Sequence, residues 1–162
     1  MKSMSYKSPI GMITLVEEGD HLIALYTEKN RAFRKVMFND NHKVFDKTIK
    51  WLDKYFSGKN PKMNIPIKMI GTDFRKKVWK MLLDIQYGKS KTYDDLAKQI
   101  ESLGGINRMS RRAVGGAVAH NPISILIPCH RVLGVGNKLV GYSGGLDVKK
   151  KLLTMEGIKY DI

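Results

Sequence analysis

A single cysteine, Cys129, limits how this chain can hold itself together. One cysteine permits no intramolecular disulfide, and it leaves no Cys-rich zinc cluster that could replace a hydrophobic core. The fold must therefore depend on burying apolar side chains, which make up 43% of the 162 residues. A chain of this length fits one domain or two small ones. The absence of paired cysteines also suits a reducing compartment.

The residues around Cys129 favour a chemical role for its thiol. The cysteine lies in the sequence Ile-Pro-Cys-His-Arg-Val at residues 127–132, so Pro128 precedes it and His130 follows it. A thiol with a pKa of about 8.5 is mostly protonated at neutral pH, and it needs a base or a cationic neighbourhood to act as a nucleophile. A buried structural thiol is the alternative for any lone cysteine. The adjacent histidine and arginine favour the reactive thiol.

Charge is the second strong feature of the sequence. The chain has 29 Lys and Arg residues against 15 Asp and Glu residues, a formal net charge of +14. Such an excess favours a polyanion partner, most often nucleic acid. The basic residues are spread along the chain, which argues against a single membrane-surface helix. The sequence lacks a signal-peptide core and any apolar run of about 20 residues, so we predict a cytoplasmic, prokaryote-like protein with no membrane partner.

Residues 1–68 are predicted to form an N-terminal α/β domain. Residues 12–16 and 21–26 resemble two strands joined by a short turn, which is typical of a β-hairpin. An amphipathic helix follows and ends at Ser57 and Gly58. Its apolar stripe has the spacing i, i+4, i+7, i+11 and consists of Phe45, Ile49, Leu52 and Phe56.

Residues 69–162 are predicted to form a second, mostly helical domain. Thr72 can cap one helix, a second contains Tyr93, and Ser110 can cap a third. The second and third helices are joined by a turn that contains Gly104 and Gly105. Two short helices joined in this way predict a helix-turn-helix.

Three positions in these helices are unfavourable for local structure. Gly115 and Gly116 lie inside the third helix, where each glycine costs about 1 kcal/mol relative to alanine. Close approach of another helix or of a nucleic-acid backbone would explain them, and both explanations stay open here. Asp147 is predicted to cap a final helix, which places Glu156 at the C-terminal end, where the helix dipole disfavours a carboxylate. A specific partner for Glu156 and a solvated surface position are the two alternatives.

Six segments resemble the O6-alkylguanine-DNA alkyltransferase (methylated-DNA–protein-cysteine methyltransferase) family in sequence, order and spacing. The resemblance covers residues 71–157 strongly and residues 6–11 more weakly. Its most specific part is the Pro-Cys-His-Arg-Val string. The six segments are Gly-Thr-Asp-Phe at 71–74, Arg-Ala-Val-Gly at 112–115, Asn-Pro at 121–122, Ile-Pro-Cys-His-Arg-Val at 127–132, Gly-Tyr-Ser-Gly-Gly at 141–145 and Leu-Leu-Thr-Met-Glu-Gly at 152–157.

The resemblance implies a fold and a reaction. The fold is α/β: a small N-terminal antiparallel sheet plus helix of ribonuclease H-like type, then a mostly helical, winged-helix-like domain with a helix-turn-helix. The implied reaction is direct-reversal DNA repair. The family flips an alkylated guanine out of double-stranded DNA and transfers the alkyl group from O6 to its own cysteine once, irreversibly. Thymine alkylated at O4 is a second implied substrate. Monomeric action, with optional cooperative loading on DNA, is the implied mode.

The resemblance also implies roles for the catalytic residues. Cys129 corresponds to the alkyl acceptor, and His130 takes its proton through a bound water. Glu156 orients the imidazole and stabilises its cationic form, which follows the logic of a Cys-His-carboxylate array. Asn121 corresponds to the residue that organises the turn around the nucleophile. No cofactor is implied, and no structural zinc is predicted because its cysteine ligands are missing.

A second group of residues is implied to bind the substrate. Tyr93 corresponds to the tyrosine that holds the flipped base, and Arg112 to the arginine finger that fills the gap in the base stack. The helix that begins at Ser110 is expected in the minor groove. Ala113 and Gly115 are small residues of this helix that allow close approach to DNA. The pocket around the flipped base is implied to be formed by Val132, Tyr142 and Ser143.

Two residues depart from the commoner family pattern. Ser124 stands where many relatives carry proline, and the role of His120 is open.

Three other functions compete with alkyl transfer: a non-catalytic alkyltransferase-like lesion sensor, a cysteine hydrolase, and a helix-turn-helix regulator with an incidental thiol. The sensor branch lacks the cysteine that Cys129 supplies. A hydrolase is disfavoured because adjacent Cys and His side chains usually diverge.

Overall fold

The computed structural model describes all residues from 1 to 162, and they group into two compact units. Residues 1–70 with 122–126 form the first unit, and residues 71–121 with 127–162 form the second. The predicted fold class is confirmed, because a small antiparallel sheet with a helix precedes a mostly helical region. The division at residues 68 and 69 stays a prediction. No helix has the length and apolar character needed to cross a membrane.

The first unit is built on a three-stranded antiparallel sheet in the order β1-β2-β3. Its strands and its helix are β1 (Lys2–Ser8), β2 (Gly11–Glu18), β3 (His21–Thr27) and α1 (Lys43–Phe56). The predicted hairpin joins β2 to β3 through Gly19 and Asp20, which both have positive φ, at 57° and 65°. Two consecutive residues with positive φ form the tight turn that matches the twist of the flanking strands. The predicted hairpin therefore depends on the backbone conformation of these two residues.

Helix α1 covers one face of this sheet. The apolar stripe predicted for it is largely buried: Phe45 and Leu52 are fully inaccessible, as are Ile13 and Leu15 of β2. The helix ends at the predicted place, since Ser57 is its C-terminal cap and Gly58 follows with a φ of 90°. These side chains form the core of the first unit.

The segment 122–126 adds to the edge of the same sheet. Leu25 donates its N–H to the Pro122 carbonyl at 2.9 Å, and Ser124 donates its N–H to the Leu25 carbonyl at 3.1 Å. Proline has no N–H to donate, so Ser124 makes a sheet hydrogen bond that proline could not make. The structure thus gives this departure from the family pattern a backbone role in the first unit.

The second unit is built from four helices and one short parallel strand pair. Its elements are α2 (Asp73–Leu83), β4 (Lys91–Thr92), α3 (Tyr93–Ser102), α4 (Arg111–Ala119), β5 (Val132–Leu133) and α5 (Leu146–Met155). The predicted caps Thr72 and Ser110 are confirmed, because each side chain accepts a backbone N–H from the first turn of its helix. Helices α3 and α4, joined by a glycine-containing turn, form the predicted helix-turn-helix.

Trp79 ties α2 to α4 in the core of this unit. Its indole N–H donates to the Ala117 carbonyl at 2.8 Å, and the side chain is almost fully buried. A Cβ atom at Gly71 would lie 2.5 Å from the Trp79 ring, so the glycine that precedes the Thr72 cap is required by close packing. The Gly-Thr-Asp-Phe segment therefore has a structural function.

The predicted cap of the last helix was wrong. Helix α5 begins at Leu146 and its N-terminal cap is Gly145, with a φ of 96° that only glycine adopts easily. Asp147 lies inside the first turn instead, where its negative charge is favoured by the helix dipole. Glu156 is the C-terminal cap of the same helix, as expected.

Candidate active site

Cys129 begins a single 3₁₀ turn, Cys129–Arg131, that follows Pro128 directly. The strand β5 comes immediately after this turn and pairs in parallel with β4, which immediately precedes Tyr93 at the start of α3. This short strand pair places the Cys129 turn and the N-terminus of α3 side by side. The side chain of Cys129 is buried, with 2% of the residue exposed.

The groups around the Cys129 thiol have opposing effects on its pKa. Burial raises the pKa of Cys129, while hydrogen bonding to Asn121, the charge of Lys149 and a hydrogen bond with Tyr142 lower it. Asn121 is itself buried and donates its side-chain amide to the Ile127 carbonyl at 2.7 Å, so it links the end of α4 to the segment before the nucleophile. Burial outweighs these partners, so the pKa of Cys129 lies above its usual range and the thiol needs a proton acceptor to ionise.

His130, Arg131 and Glu156 form a buried charged cluster next to the thiol. His130 Nε2 is hydrogen-bonded to one carboxylate oxygen of Glu156, and Arg131 Nε donates to the other oxygen at 2.8 Å. Gly88 donates its N–H to the same carboxylate at 3.3 Å. Burial lowers the pKa of His130, and the Glu156 carboxylate opposes that effect. Glu156 therefore has two side-chain partners, which explain a carboxylate at this disfavoured end of the helix.

Arg131 is anchored on its other side as well. Its guanidinium donates to the Ile85 carbonyl at 2.6 Å and lies over the ring of Tyr87, 5.8 Å from the ring centre. These contacts fix the Glu156 carboxylate from behind, so Arg131 is a positioning residue that sequence reasoning did not single out. The only sequence signal for it was its place in the Pro-Cys-His-Arg-Val string.

The second nitrogen of His130 is important for how a proton could move. Nδ1 is buried and has no hydrogen-bond partner, so the imidazole and the thiol are not directly hydrogen-bonded. Because Nε2 faces a carboxylate, the neutral ring carries its proton on Nε2 and leaves the Nδ1 lone pair as an acceptor. The adjacent Cys-His pair is therefore not arranged as in a cysteine protease, where the two side chains meet directly.

Lys149 is the main residue of the site that the sequence did not reveal. It is fully inaccessible, and its ammonium group donates to three carbonyls: those of Val132 at 2.6 Å, Val140 at 3.1 Å and Gly141 at 3.1 Å. Burial lowers the pKa of Lys149 to about 8, and the charge of Cys129 opposes that effect. One buried cation thus joins the segment after Cys129 to the segment at residues 140–141, and its charge acts on the thiol.

A cavity of about 220 Å³ opens onto the thiol. It is smaller than the roughly 300–1,000 Å³ of sites for drug-sized ligands, which suits a single planar ring system. Burial raises the pKa of Tyr93 to about 12, so its hydroxyl remains a hydrogen-bond donor at neutral pH. The Ser143 hydroxyl is buried without a hydrogen-bond partner. The cavity is lined by Tyr93, Gly115, Val118, Ala119, Cys129, Gly141, Tyr142 and Ser143.

The two arginines at the start of α4 have different surroundings. Arg111 forms ion pairs with Asp94 at 2.7 Å and with Glu101 at 2.6 Å, which fixes α4 against α3. Arg112 is exposed, and its side chain forms no ion pair or hydrogen bond. Ala113, the next residue, is also exposed. Arg111 therefore has a structural role, and Arg112 is available to a partner.

The two glycines of α4 also differ. A Cβ atom at Gly115 would reach ordinary contact with the Tyr93 ring at 4.0 Å, whereas one at Gly116 would meet nothing within 4 Å. An alanine would fit at either position, so packing within the protein requires neither glycine. His120, the other departure from the family pattern, is the C-terminal cap of this helix and hydrogen-bonds the Gly116 carbonyl through Nδ1 at 2.7 Å.

The structure thus brings most of the predicted site residues together. Around the thiol it assembles a catalytic set and a cavity set, and it leaves one predicted pair exposed on α4. No cluster of three or more His, Cys, Asp or Glu side chains is arranged to hold a metal ion. The catalytic set is Cys129, His130, Glu156 and Asn121; the cavity set is Tyr93, Gly115, Tyr142 and Ser143, with Val132 bound to Lys149; the exposed pair is Arg112 and Ala113.

Comparisons with known proteins agree over most of the chain. Residues 1–69 match the family model described as 6-O-methylguanine DNA methyltransferase, ribonuclease-like domain, and residues 73–158 match that for the DNA binding domain. The chain is 39% identical over 158 residues to a methylated-DNA–protein-cysteine methyltransferase of Haemophilus influenzae, covering 96% of this chain and 86% of that protein. It is 42% identical over 152 residues to one of Methanosarcina barkeri, covering 93% of each.

Solved structures give the same result. The crystal structure of Mycobacterium tuberculosis OGT in complex with DNA superposes with a TM-score of 0.84 and 36% identity, over 97% of this chain and 93% of that one. An O6-methylguanine DNA methyltransferase from Methanococcus jannaschii superposes with a TM-score of 0.68 and 28% identity, over 98% and 96%. With two family models, curated relatives and these structures in agreement, the chain belongs to the 6-O-methylguanine DNA methyltransferase family of methylated-DNA–protein-cysteine methyltransferases.

Proposed function

We propose that this protein repairs alkylated double-stranded DNA by transferring the alkyl group from O6 of guanine to Cys129, once per molecule. The observation that carries the proposal is the buried thiol that lines a cavity sized for one planar ring system, next in sequence to an imidazole that is held by a carboxylate. Such a cavity cannot admit a base that is still stacked in a duplex, so the base must be flipped out. The family and its DNA-bound structural relative support the same reaction.

The chemical step follows from the charges at the site. His130 Nδ1 accepts the thiol proton through a bridging water, because it is not hydrogen-bonded to the thiol directly. The sulfur attacks the alkyl carbon, an S–C bond forms, and the C–O6 bond breaks with its electron pair left on guanine. A proton then returns to guanine, so alkylguanine and thiol become guanine and thioether. The alkyl donor and acceptor are both present, so no further reactant is required.

Glu156 and Lys149 stabilise the two charges that this step creates. The Glu156 carboxylate bonds the imidazole and favours its cationic form, and Lys149 favours the thiolate. Tyr93 and Ser143 line the cavity, and their hydroxyls would hydrogen-bond a polar ring bound there. No group in the site is arranged to displace a thioether, which supports a single turnover.

Helix α4 is proposed to contact DNA in the minor groove. The exposed Arg112 would fill the gap that the flipped nucleotide leaves, and the open position of Gly116 permits close approach to the backbone. Contacts of this kind do not depend on sequence, which suits a protein that must inspect any duplex.

The direct test of this function is a count of product. We expect guanine formed from a duplex with one O6-methylguanine to reach a plateau at one equivalent per protein. Product that continues to accumulate beyond one equivalent would indicate a hydrolase. Tight binding without product would indicate a lesion sensor, and indifference to the lesion would indicate a regulator.

The Arg112→Ala variant separates base flipping from chemistry. Flipping costs a few kcal/mol, so loss of the residue that holds the gap should slow repair of duplex DNA by about ten- to a hundredfold. Reaction with free O6-benzylguanine requires no flipping and should change less than about twofold on the same reasoning. The measurement is the second-order rate constant for each substrate, with Arg108→Ala as a charge-matched control. Equal losses on both substrates would refute the finger role.

The Lys149→Met variant tests the electrostatic support of the thiolate. Removing this cation should raise the pKa of Cys129 and lower its thiolate fraction, so we expect modification by iodoacetamide near pH 7 to slow by about five- to tenfold. Because the pKa of Lys149 is about 8, the wild-type lysine is charged below that pH and neutral above it. The difference between the two proteins should therefore be full at neutral pH and shrink as the pH rises beyond 8.

The exposed Lys151→Met variant on the same helix is the matched control, and its pH profile should follow the wild type. A Lys149→Met profile that is lower at every pH by the same factor would assign Lys149 a purely structural function. Circular dichroism of the variants shows whether the fold is retained.

A further inference from the structure

A groove of about 500 Å³ runs beside helix α1 in the first unit, remote in sequence from every residue of the active site. Trp51 lines it, and most of the other lining residues are lysines. We call this feature the lysine groove. Its lysines are Lys47, Lys50, Lys54, Lys59 and Lys62.

The positive charge of the lysine groove is not compensated within the protein. All five lysines lie at the surface, none of their ammonium groups forms an ion pair or hydrogen bond, and no Asp or Glu lines the groove. By contrast, Lys43 on the same helix lies 3.8 Å from Asp20. Five like charges around one concavity repel one another, and an anion bound there would relieve the repulsion.

The spacing of the lysines suits a regular polyanion. Lys47, Lys50 and Lys54 follow the positions i, i+3 and i+7 of α1, so they share one face of the helix. At 1.5 Å per residue the row is about 10 Å long, the length of about three nucleotide steps at 3.4 Å each. A row of this length can contact successive phosphates of one strand.

Trp51 supplies a second, independent sign of a ligand. Its indole Nε1 is buried and has no hydrogen-bond partner, and only 8% of the residue is exposed. The indole N–H can only donate, and buried donors in proteins are nearly always paired. A phosphate oxygen is an acceptor of the kind that this donor lacks.

We propose that the lysine groove is a second nucleic-acid binding surface, which holds the phosphate backbone of DNA independently of base damage. The positive excess of the chain is not confined to the unit with the helix-turn-helix: residues 1–70 hold 13 of the 29 basic side chains and 7 of the 15 acidic ones. A lipid surface would need exposed apolar residues beside the lysines, and among the apolar residues of the groove Trp51 is buried. An acidic protein would not require the regular lysine row.

The test is the salt dependence of binding to a long undamaged duplex by fluorescence anisotropy. In the triple variant Lys47→Gln, Lys50→Gln, Lys54→Gln, the slope of log affinity against log salt should fall by about 0.9 for each phosphate that is no longer neutralised, and affinity near 0.1 M salt should weaken at least about tenfold. The control triple variant carries Gln at Lys7, Lys35 and Lys68, which are lysines of the same unit outside the groove. Its slope should change by less than half as much.

Trp51→Phe is the second variant, because phenylalanine keeps an aromatic ring and removes the N–H donor. We expect several-fold weaker binding to the same duplex. All variants should react with free O6-benzylguanine at the wild-type rate, which shows that they are folded and that the proposed function does not depend on this surface. Equal salt slopes in the two triple variants, or weaker binding to an acidic peptide with unchanged binding to DNA, would overturn the proposal.

Discussion

The Cys129→Ala variant will remove no methyl group from O6-methylguanine in duplex DNA, and it will bind that duplex as the wild type does. Cys129 is the only cysteine of the chain, so its sulfur is the only thiol that lines the cavity. The DNA-contacting surface proposed on α4 does not include the thiol, so its removal should leave affinity within about twofold. The loss of transfer should be complete, since no other side chain can form a stable thioether.

Two measurements check this result. Guanine released by acid hydrolysis reports transfer, and anisotropy with a fluorescent duplex reports binding. Cys129→Ser is the matched variant, because it keeps a polar group of similar size that ionises far less readily. Transfer retained by Cys129→Ala would remove Cys129 from the mechanism, and a loss of DNA binding in that variant would place the thiol among the DNA-binding groups instead.

The Glu156→Gln variant is expected to lose both activity and stability. The change keeps the shape of the side chain but removes the charge that His130 and Arg131 face. Without it the imidazolium is not stabilised, and general-base assistance of this type contributes about 10²–10⁴-fold to rate. The Arg131 guanidinium remains buried without its ion-pair partner, which costs about 3 kcal/mol in the free energy of unfolding.

For a chain of this size such a loss should lower Tm by about 10 °C. Calorimetry measures that change, and the rate with free O6-benzylguanine measures the chemical loss without any contribution from DNA binding. Glu101→Gln is the matched control, since it makes the same change in the partly exposed pair with Arg111. A Glu156→Gln protein with normal Tm and normal rate would show that the buried cluster has neither function.

Local sequence signals predict some elements of this fold and miss others. Helix ends with a side-chain signal, such as Thr72 and Ser110, were predictable because capping is a local interaction. Strand β1 was not, since its Lys and Ser residues leave only Met4 and Tyr6 as apolar positions on an edge strand. Its pairing with β2 depends on contacts that a local pattern does not contain.

The active site shows the same limit more sharply. The pairing of His130 with Glu156, 26 residues apart, was expected only because the motifs resemble a known family. Lys149 looks in the sequence like the first of three consecutive surface lysines. Only the packing of α5 against the Cys129 turn buries the first and exposes the third, so its function could not be read from composition or periodicity.

The most direct test of the proposed transfer to Cys129 is intact-protein mass spectrometry after incubation with a duplex that contains one O6-methylguanine. We predict that the protein gains the mass of a single methyl group, that peptide mapping places it on Cys129, and that excess DNA adds no more. An unchanged mass, or a methyl group on any other residue, would contradict this mechanism.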